Sequence, residues 1–176
     1  MVPVLEKLYL ELEHQRDVFL TEIRKHGEPA VYRTTDGHWN MVQVIGHLCI
    51  SEKTSLDYLE KKMRGLEQAT PSTLWELFKV GGLILSQRLP LRYTAPRGAS
   101  LPEPTTCPLE EAIALWTAER QRLHTLLNRF AAQDVNKKVY RHIVIGLVDV
   151  RHMLIFFREH VYHHRWQIKR LQRQRK

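Results

Sequence analysis

The sequence predicts an all-α protein, a four-helix bundle, from three observations. Four long segments place apolar residues three and four positions apart, as amphipathic helices do. No segment alternates convincingly as a β-strand would, although residues 139–148 have local β propensity. A stretch with five prolines between residues 90 and 108 separates the second and third long helices, and this crossover is long enough for them to run parallel. We therefore expect an up-down-down-up bundle, with a short extra helix between helices 2 and 3.

Local signals predict where the helices begin and end. The four long helices are predicted over residues 3–26, 38–64, 108–130 and 148–172, and the short extra helix over residues 72–89. Asp36, or a residue just after it, is expected to cap the second helix. Thr73 is followed three residues later by Glu76, the spacing of a capping box. Gly81 and Gly82 are expected to weaken the short helix.

The composition is typical of one soluble domain, which we expect to span residues 1–176. Two cysteines, Cys49 and Cys107, make no disulfide framework, and such usage indicates a reducing cytoplasm. The N-terminus has no apolar signal-peptide core, and no run approaches the ~18 apolar residues of a membrane span. We expect a cytoplasmic protein that does not bind membranes.

The net charge of +8 is concentrated partly in a basic tail at about residues 171–176. We interpret this tail as a solvated chain end, because the apolar helix pattern stops there. The sequence shows no zinc-finger spacing, RNP-like aromatic motif or helix-turn-helix signature. Nucleic-acid binding is therefore not the favoured interpretation, but the tail leaves it open.

Three histidines occur near the C-terminus, within the last predicted helix. His160 and His164 are four residues apart and share a helix face, so their imidazoles could chelate one Zn²⁺ or Ni²⁺ ion. No glutamate lies between them, which excludes the HExxH zinc-protease motif. His163 is expected to face solvent. In a chain with 10 histidines the spacing alone leaves a second interpretation open, in which both are ordinary polar residues.

A third ligand would have to come from another helix. His47 lies on the second helix, within a strip of small or amide side chains that suits the wall of a polar cavity. The strip consists of Asn40, Gln43, His47, Ser51 and Thr54. The alternative is a half-exposed histidine on a solvated face.

Two motifs resemble those of the DinB-like, or DinB/YfiT-like, superfamily of metal-binding helical bundles. The first reads W-x-x-x-x-V-x-x-H-L-x-x-x-E and is filled by Trp39, Val44, His47, Leu48 and Glu52. The second reads H-x-x-H-H-R-x-Q-[IL] and is filled by His160, His163, His164, Arg165, Gln167 and Ile168. One departure precedes the last helix: His142 is followed by Ile143, where relatives often have proline, while Gly146 is kept.

The resemblance implies a three-histidine metal site made of His47, His160 and His164, with zinc or nickel as the divalent ion. It also implies an enzyme that activates a small thiol for transfer to an electrophilic small-molecule substrate. Two alternatives stay open: a hydrolase that uses water activated at the metal, and a non-enzymatic stress-response binding module with a basic tail. Gln167 could orient a ligand at the site. We expect a homodimer formed through an exposed apolar helix face.

Overall fold

The computed structural model describes residues 1–34, 39–89 and 101–173, with side chains up to residue 171. These residues form six α-helices: α1 Pro3–Arg24, α2 Glu28–Val31, α3 Met41–Met63, α4 Leu74–Arg88, α5 Leu109–Leu127 and α6 Val150–Arg173. They also form two strands, β1 Lys138–His142 and β2 Gly146–Asp149, and two short 3₁₀ turns at Leu66–Gln68 and Ala132–Asp134.

The four long helices α1, α3, α5 and α6 make the body of the bundle. Helix α1 packs against α6, and α3 packs against both α5 and α6, while the shorter α4 lies on α6. Two apolar clusters fill the interior, and each takes side chains from all four long helices. One includes Leu12, Leu56, Leu123 and Phe157, and the other includes Phe19, Ile45, Trp116 and Val161. The up-down-down-up order of directions stays a prediction.

The helix signals in the sequence were largely correct. Thr73 and Glu76 form the predicted capping box: the Thr73 N–H donates to Glu76 Oε2 over 2.8 Å. Helix α3 begins at Met41, slightly later than predicted, because Asn40 supplies its own capping box. The other predicted cap, Asp36, lies outside the described residues. Helix α4 continues through Gly81 and Gly82, so the glycines do not interrupt it, and their weakening of the helix stays a prediction.

The expectation that no strand forms was wrong before the last helix. Strands β1 and β2 pair antiparallel, with Tyr140 opposite Val148 and His142 opposite Gly146. The turn requires glycine, because Gly146 has φ +78°, a left-handed conformation that side chains disfavour. A five-residue strand is too short for period-2 alternation to stand out in a sequence, so only local β propensity marked it.

A buried ion pair joins α3 to α5. Arg120 and Glu52 have side chains that are 1% and 2% exposed, and two guanidinium nitrogens of Arg120 donate to the two carboxylate oxygens over 2.6 Å each. A third nitrogen reaches Glu13 on α1 over 3.0 Å. The guanidinium also lies over the Trp116 ring, 5.2 Å from its centroid. One arginine therefore connects three of the four long helices.

The C-terminal end of the chain continues α6 further than the charge pattern indicated. The helix extends to Arg173, so the first residues of the basic tail predicted at 171–176 are helical. Residues 174–176 lie outside the described part of the chain. Within that part, no helix combines the length and the apolar character needed to cross a membrane.

Replacing Arg120 with methionine should destabilise the protein strongly, because Glu52 would keep a buried charge without a partner. We expect a loss of about 3–5 kcal/mol in the free energy of unfolding, measured by urea denaturation.

Arg122→Met is the matched control, two residues further along α5. Its guanidinium pairs with the half-exposed Asp57 and Glu60 over 2.7 Å, so its loss should cost at most ~1 kcal/mol. Adding Glu52→Leu to Arg120→Met should recover part of the loss. Equal losses for the two arginines would show that Glu52 is not held by Arg120.

Candidate metal centre

Three histidine nitrogens converge between α3 and α6. His47 Nε2 lies 3.3 Å from His160 Nε2, and His164 Nε2 lies 3.1 Å from the same atom. One nitrogen from each of the three residues lies within 4.8 Å of the other two. His164 is buried, and His47 and His160 are half-buried. The structure thus brings together the three histidines that the sequence pointed to, across 113 positions of chain.

Both helices that carry the histidines are held at their N-terminal ends. Asp149, which is fully buried, caps α6 by accepting the N–H groups of Arg151 and His152 over 2.9 and 3.2 Å. On α3, Pro104 at the end of the crossover lies against Gly46, the residue before His47. A Cβ placed on Gly46 would lie 3.1 Å from the Pro104 side chain, so glycine permits this close approach.

The protonation of the cluster follows from one hydrogen bond. Gln167 Oε1 lies 2.8 Å from His164 Nδ1, and an amide oxygen can only accept. His164 Nδ1 therefore carries the proton, and its Nε2 presents a lone pair to His160. His160 Nε2 lies near both of the other Nε2 atoms, and a neutral imidazole nitrogen either donates or accepts but never does both. His160 therefore cannot donate to one of the other two histidines while it accepts from the other.

A divalent ion fits this donor set. Tetrahedral nitrogen ligands at ~2.0–2.1 Å from zinc are separated from one another by ~3.3–3.4 Å. The separations of His164 Nε2 and His47 Nε2 from His160 Nε2, 3.1 and 3.3 Å, are close to that spacing, and the third pair of ligand atoms lies within 4.8 Å. Imidazole ligands suit zinc and nickel alike, so the donor set alone does not select between them.

Burial keeps all three imidazoles neutral at pH 7. It lowers the pKa of His47 to about 4, with a smaller contribution from His163. It lowers the pKa of His164 to about 3, with help from His47. The pKa of His160 falls well below its usual range, first through burial and then through the other two rings. Neutral rings keep their lone pairs, as metal ligation requires.

Aromatic side chains form the walls of the cluster. Phe156 stacks on His160 with centroids 5.2 Å apart and 17° between the ring planes. Trp39 lies against His47, with centroids 4.8 Å apart. Behind Phe156 lies His142, at 4.4 Å. Sequence analysis did not single out Phe156, although its position four residues before His160 places both on one helix face.

His142 is oriented by the hairpin that the sequence did not predict. Its Nδ1 accepts the backbone N–H groups of Val144 and Ile145 over 3.1 and 3.4 Å. The proton of the neutral ring therefore lies on Nε2. Burial lowers the pKa of His142 to about 4, so the ring is uncharged at pH 7.

Other predictions about the site need correction. The polar strip on α3 does not form one cavity wall, because Asn40 and Gln43 bond each other in the helix cap and Thr54 is exposed. His163 does not simply face solvent: it is half-buried, with its ring 5.4 Å from that of His164. Glu159, directly before His160, is bound by Arg88 and does not belong to the histidine group.

The fold and the site together define a helical bundle with a candidate three-histidine metal centre. A family model described as the DinB superfamily matches residues 11–168. The chain belongs to the DinB superfamily. No curated protein matches the chain significantly.

The chain is also similar to a solved structure, YfiT from Bacillus subtilis. That protein is described as a probable metal-dependent hydrolase with an unusual four-helix bundle topology. The two share 19% sequence identity and superpose with a TM-score of 0.63, over 96% of this chain and 86% of the other. This likeness supports the bundle fold.

His142 should make the stability of the metal-free protein depend on pH. Its pKa is about 4 in the folded chain and ~6.5 when unfolded, so the unfolded state binds more protons between these values. The contribution of the neutral His142 ring to the free energy of unfolding is complete above pH 6.5 and is lost as the pH falls toward 4. We therefore compare the free energy of unfolding at pH 7 and at pH 4.5, by urea denaturation with a chelator present. The decrease over this range should be about 2–3 kcal/mol smaller for His142→Asn than for wild type.

The control for this measurement is His14→Asn. His14 is exposed on α1, so this variant makes the same change of residue type without altering the buried His142 ring. Identical pH profiles for wild type and His142→Asn would contradict the burial of a neutral His142 ring.

Proposed function

We propose that the protein is a metal-dependent enzyme that activates a small thiol for transfer to an electrophile. His47, His160 and His164 hold a divalent cation in this proposal. The observation that carries it is the convergence of three neutral imidazoles whose Nε2 atoms lie 3.1–3.3 Å apart along the cluster. A cation bound by neutral ligands keeps its full positive charge and lowers the pKa of a coordinated thiol or water.

The composition of the cluster favours a thiol over water. Among the described residues no carboxylate joins the three histidines, so none is placed there to take a proton from water. A thiol has an ordinary pKa of ~8.5 and needs a far smaller shift than water, at ~15.7, to become an anion near pH 7. The family resemblance in the two histidine motifs points to the same chemistry.

The thiol must come from outside the chain. Burial raises the pKa of the Cys49 thiol to about 12, and it also raises the pKa of Cys107. Neither cysteine belongs to the histidine cluster. A low-molecular-weight thiol would enter as a cosubstrate, and Phe156 and Trp39 would limit the access of water to it.

The second candidate function is a metal-dependent hydrolase. It is favoured by the similarity to YfiT, which is described as a probable metal-dependent hydrolase. The same three histidines would then position water as the nucleophile. The two functions differ in one requirement, because only the transferase needs an added thiol.

Metal content should depend on the three histidines. We expect about one divalent ion per chain in untagged wild type, measured by elemental analysis, and a loss of at least tenfold in affinity for His47→Ala or His160→Ala. His124→Ala is the control, since His124 is exposed on α5 and should leave metal content unchanged. Full occupancy in both site variants would refute the proposed ligands.

Turnover assays separate the two functions. Zinc- or nickel-loaded protein should conjugate glutathione or cysteine to an electrophile such as monobromobimane faster than the free thiol reacts, and His160→Ala should abolish this excess rate. Hydrolysis of p-nitrophenyl acetate without thiol, at a rate that His160→Ala removes, would favour the hydrolase. Retention of the thiol-dependent rate in His160→Ala would reject the transferase mechanism.

Gln167 is proposed to position His164, and its replacement should weaken metal binding. Loss of a partner that fixes a ligating histidine commonly costs 10–100-fold in metal affinity. We expect such a loss for Gln167→Leu and recovery in Gln167→Glu, whose carboxylate also accepts from His164 Nδ1. Zinc affinity measured by competition with a chromophoric chelator tests both variants. A Gln167→Leu protein with wild-type affinity would show that His164 needs no orienting partner.

A further inference from the structure

Helix α4 is apolar on both of its faces. Val80 and Leu83 are buried on the side toward the bundle. The opposite side exposes a run of large apolar side chains with exposed fractions from 43% to 83%: Leu74, Trp75, Leu77, Phe78, Leu85 and Leu89. We call this set the α4 face. A helix that is apolar all round is normally covered on all sides, whereas a surface helix has one polar face.

The centre of the α4 face is flat. Gly81 and Gly82 lie between Phe78 and Leu85, and a Cβ placed on either glycine would meet nothing within 4 Å. Glycine inside an exposed helix costs ~1 kcal/mol relative to alanine, so this pair is unfavourable for an isolated helix. A flat strip flanked by large apolar side chains allows the backbone of a second helix to approach closely.

The cationic side chains that border the α4 face are bound by groups of the same chain. Lys79 donates to the carbonyl oxygen of Ile145 over 3.2 Å, and its ammonium group lies 3.9 Å from the carboxylate of Glu76. Arg88 binds both oxygens of the buried Glu159, over 2.8 and 3.0 Å. A chain with a net charge of +8 would otherwise repel a copy of itself. Because both cations are paired, two α4 faces can meet without placing like charges in opposition.

The area of the α4 face is close to what a stable dimer needs. Taking roughly 150–200 Å² for a whole large apolar side chain, the six exposed fractions amount to roughly 570–760 Å². The largest apolar patch on an ordinary monomer is ~300–600 Å². A standard interface buries ~800 Å² on each partner, and its polar rim would supply the remainder.

We propose that the α4 face is the interface of a homodimer, in which two copies of α4 cross at Gly81 and Gly82. A two-fold axis through the glycines pairs the same surface on both copies, as symmetric dimers require. Phe78 and Leu85 of each copy pack beside the crossing point. The neighbouring segment, residues 90–100, is a poor alternative cover, because its large apolar side chains are only Leu91 and Tyr93.

Light scattering during size-exclusion chromatography tests the proposal on the full chain. Wild type should elute with twice the chain mass of 20.8 kDa. Phe78→Glu and Leu85→Glu should each weaken the dimer at least tenfold while circular dichroism shows the helices intact. Leu115→Glu is the matched control: Leu115 is 55% exposed on α5, so this variant should remain dimeric.

The variant Gly81→Leu distinguishes a specific crossing of two α4 helices from non-specific association of apolar surfaces. This variant makes the surface more apolar and the helix more favourable, yet it should weaken the dimer at least tenfold by blocking the close approach. A stronger dimer in Gly81→Leu would overturn the crossing at the glycines.

Two other results would overturn the homodimer. One is a wild-type monomer at concentrations up to hundreds of micromolar, whether or not it cosediments with vesicles of phosphatidylcholine and phosphatidylglycerol. The other is a dimer that survives both glutamate variants. The mass should be measured on both metal-free and zinc-loaded protein. The α4 face contains none of the three histidines, so dimerisation should be the same in both and can be judged independently of metal binding.

Discussion

The candidate site depends on one constraint: three imidazole nitrogens converge, and the central one, His160 Nε2, cannot donate to one neighbour and accept from the other. His164 already uses its N–H on Gln167, and its other nitrogen points at His160. Burial suppresses protonation of all three rings, so additional protons cannot relieve the crowding near neutral pH. A shared cation would satisfy the three lone pairs together, and it would offset the cost of burying this concentration of nitrogen atoms in apolar and aromatic surroundings.

Two ion pairs close to the histidines hold the helices of the bundle in position, and so they keep the histidine nitrogens together. Glu52 lies five residues after His47 and is bound twice by Arg120, which also reaches α1. Glu159 lies directly before His160 and is bound by Arg88 from α4. The Arg120–Glu52 pair is buried on both sides and costly to break, whereas Arg88 is half-exposed and its pair with the buried Glu159 contributes less. Their effect is to disfavour any sliding of the helices that would separate the histidine nitrogens.

The three histidine rings that form the candidate site are uncharged, and this determines how a bound cation would act. In the proposed enzyme the ligands are neutral rings, and no carboxylate belongs to the group in the described part of the chain, so the cation's charge would activate the nucleophile. Substrate choice is then left to the walls, where Trp39 and Phe156 cover two of the histidines. The hairpin that orients His142 behind Phe156 completes the wall on the α6 side.

The sequence by itself determined the four long helices and α4, the capping box of Thr73 and Glu76 at the start of α4, and the pair His160 and His164, because these features depend on spacing within one helix. The two histidine motifs also identified His47 through family resemblance. Tertiary structure decided the rest. The Arg120–Glu52 pair, the contact of Phe156 with His142 and the exposure of the α4 face all depend on how distant segments pack, and such contacts leave no periodic signal along the chain. The β1–β2 hairpin was missed for a related reason: its strands are stabilised by pairing with each other and by packing on α3, and each is too short to show a pattern alone.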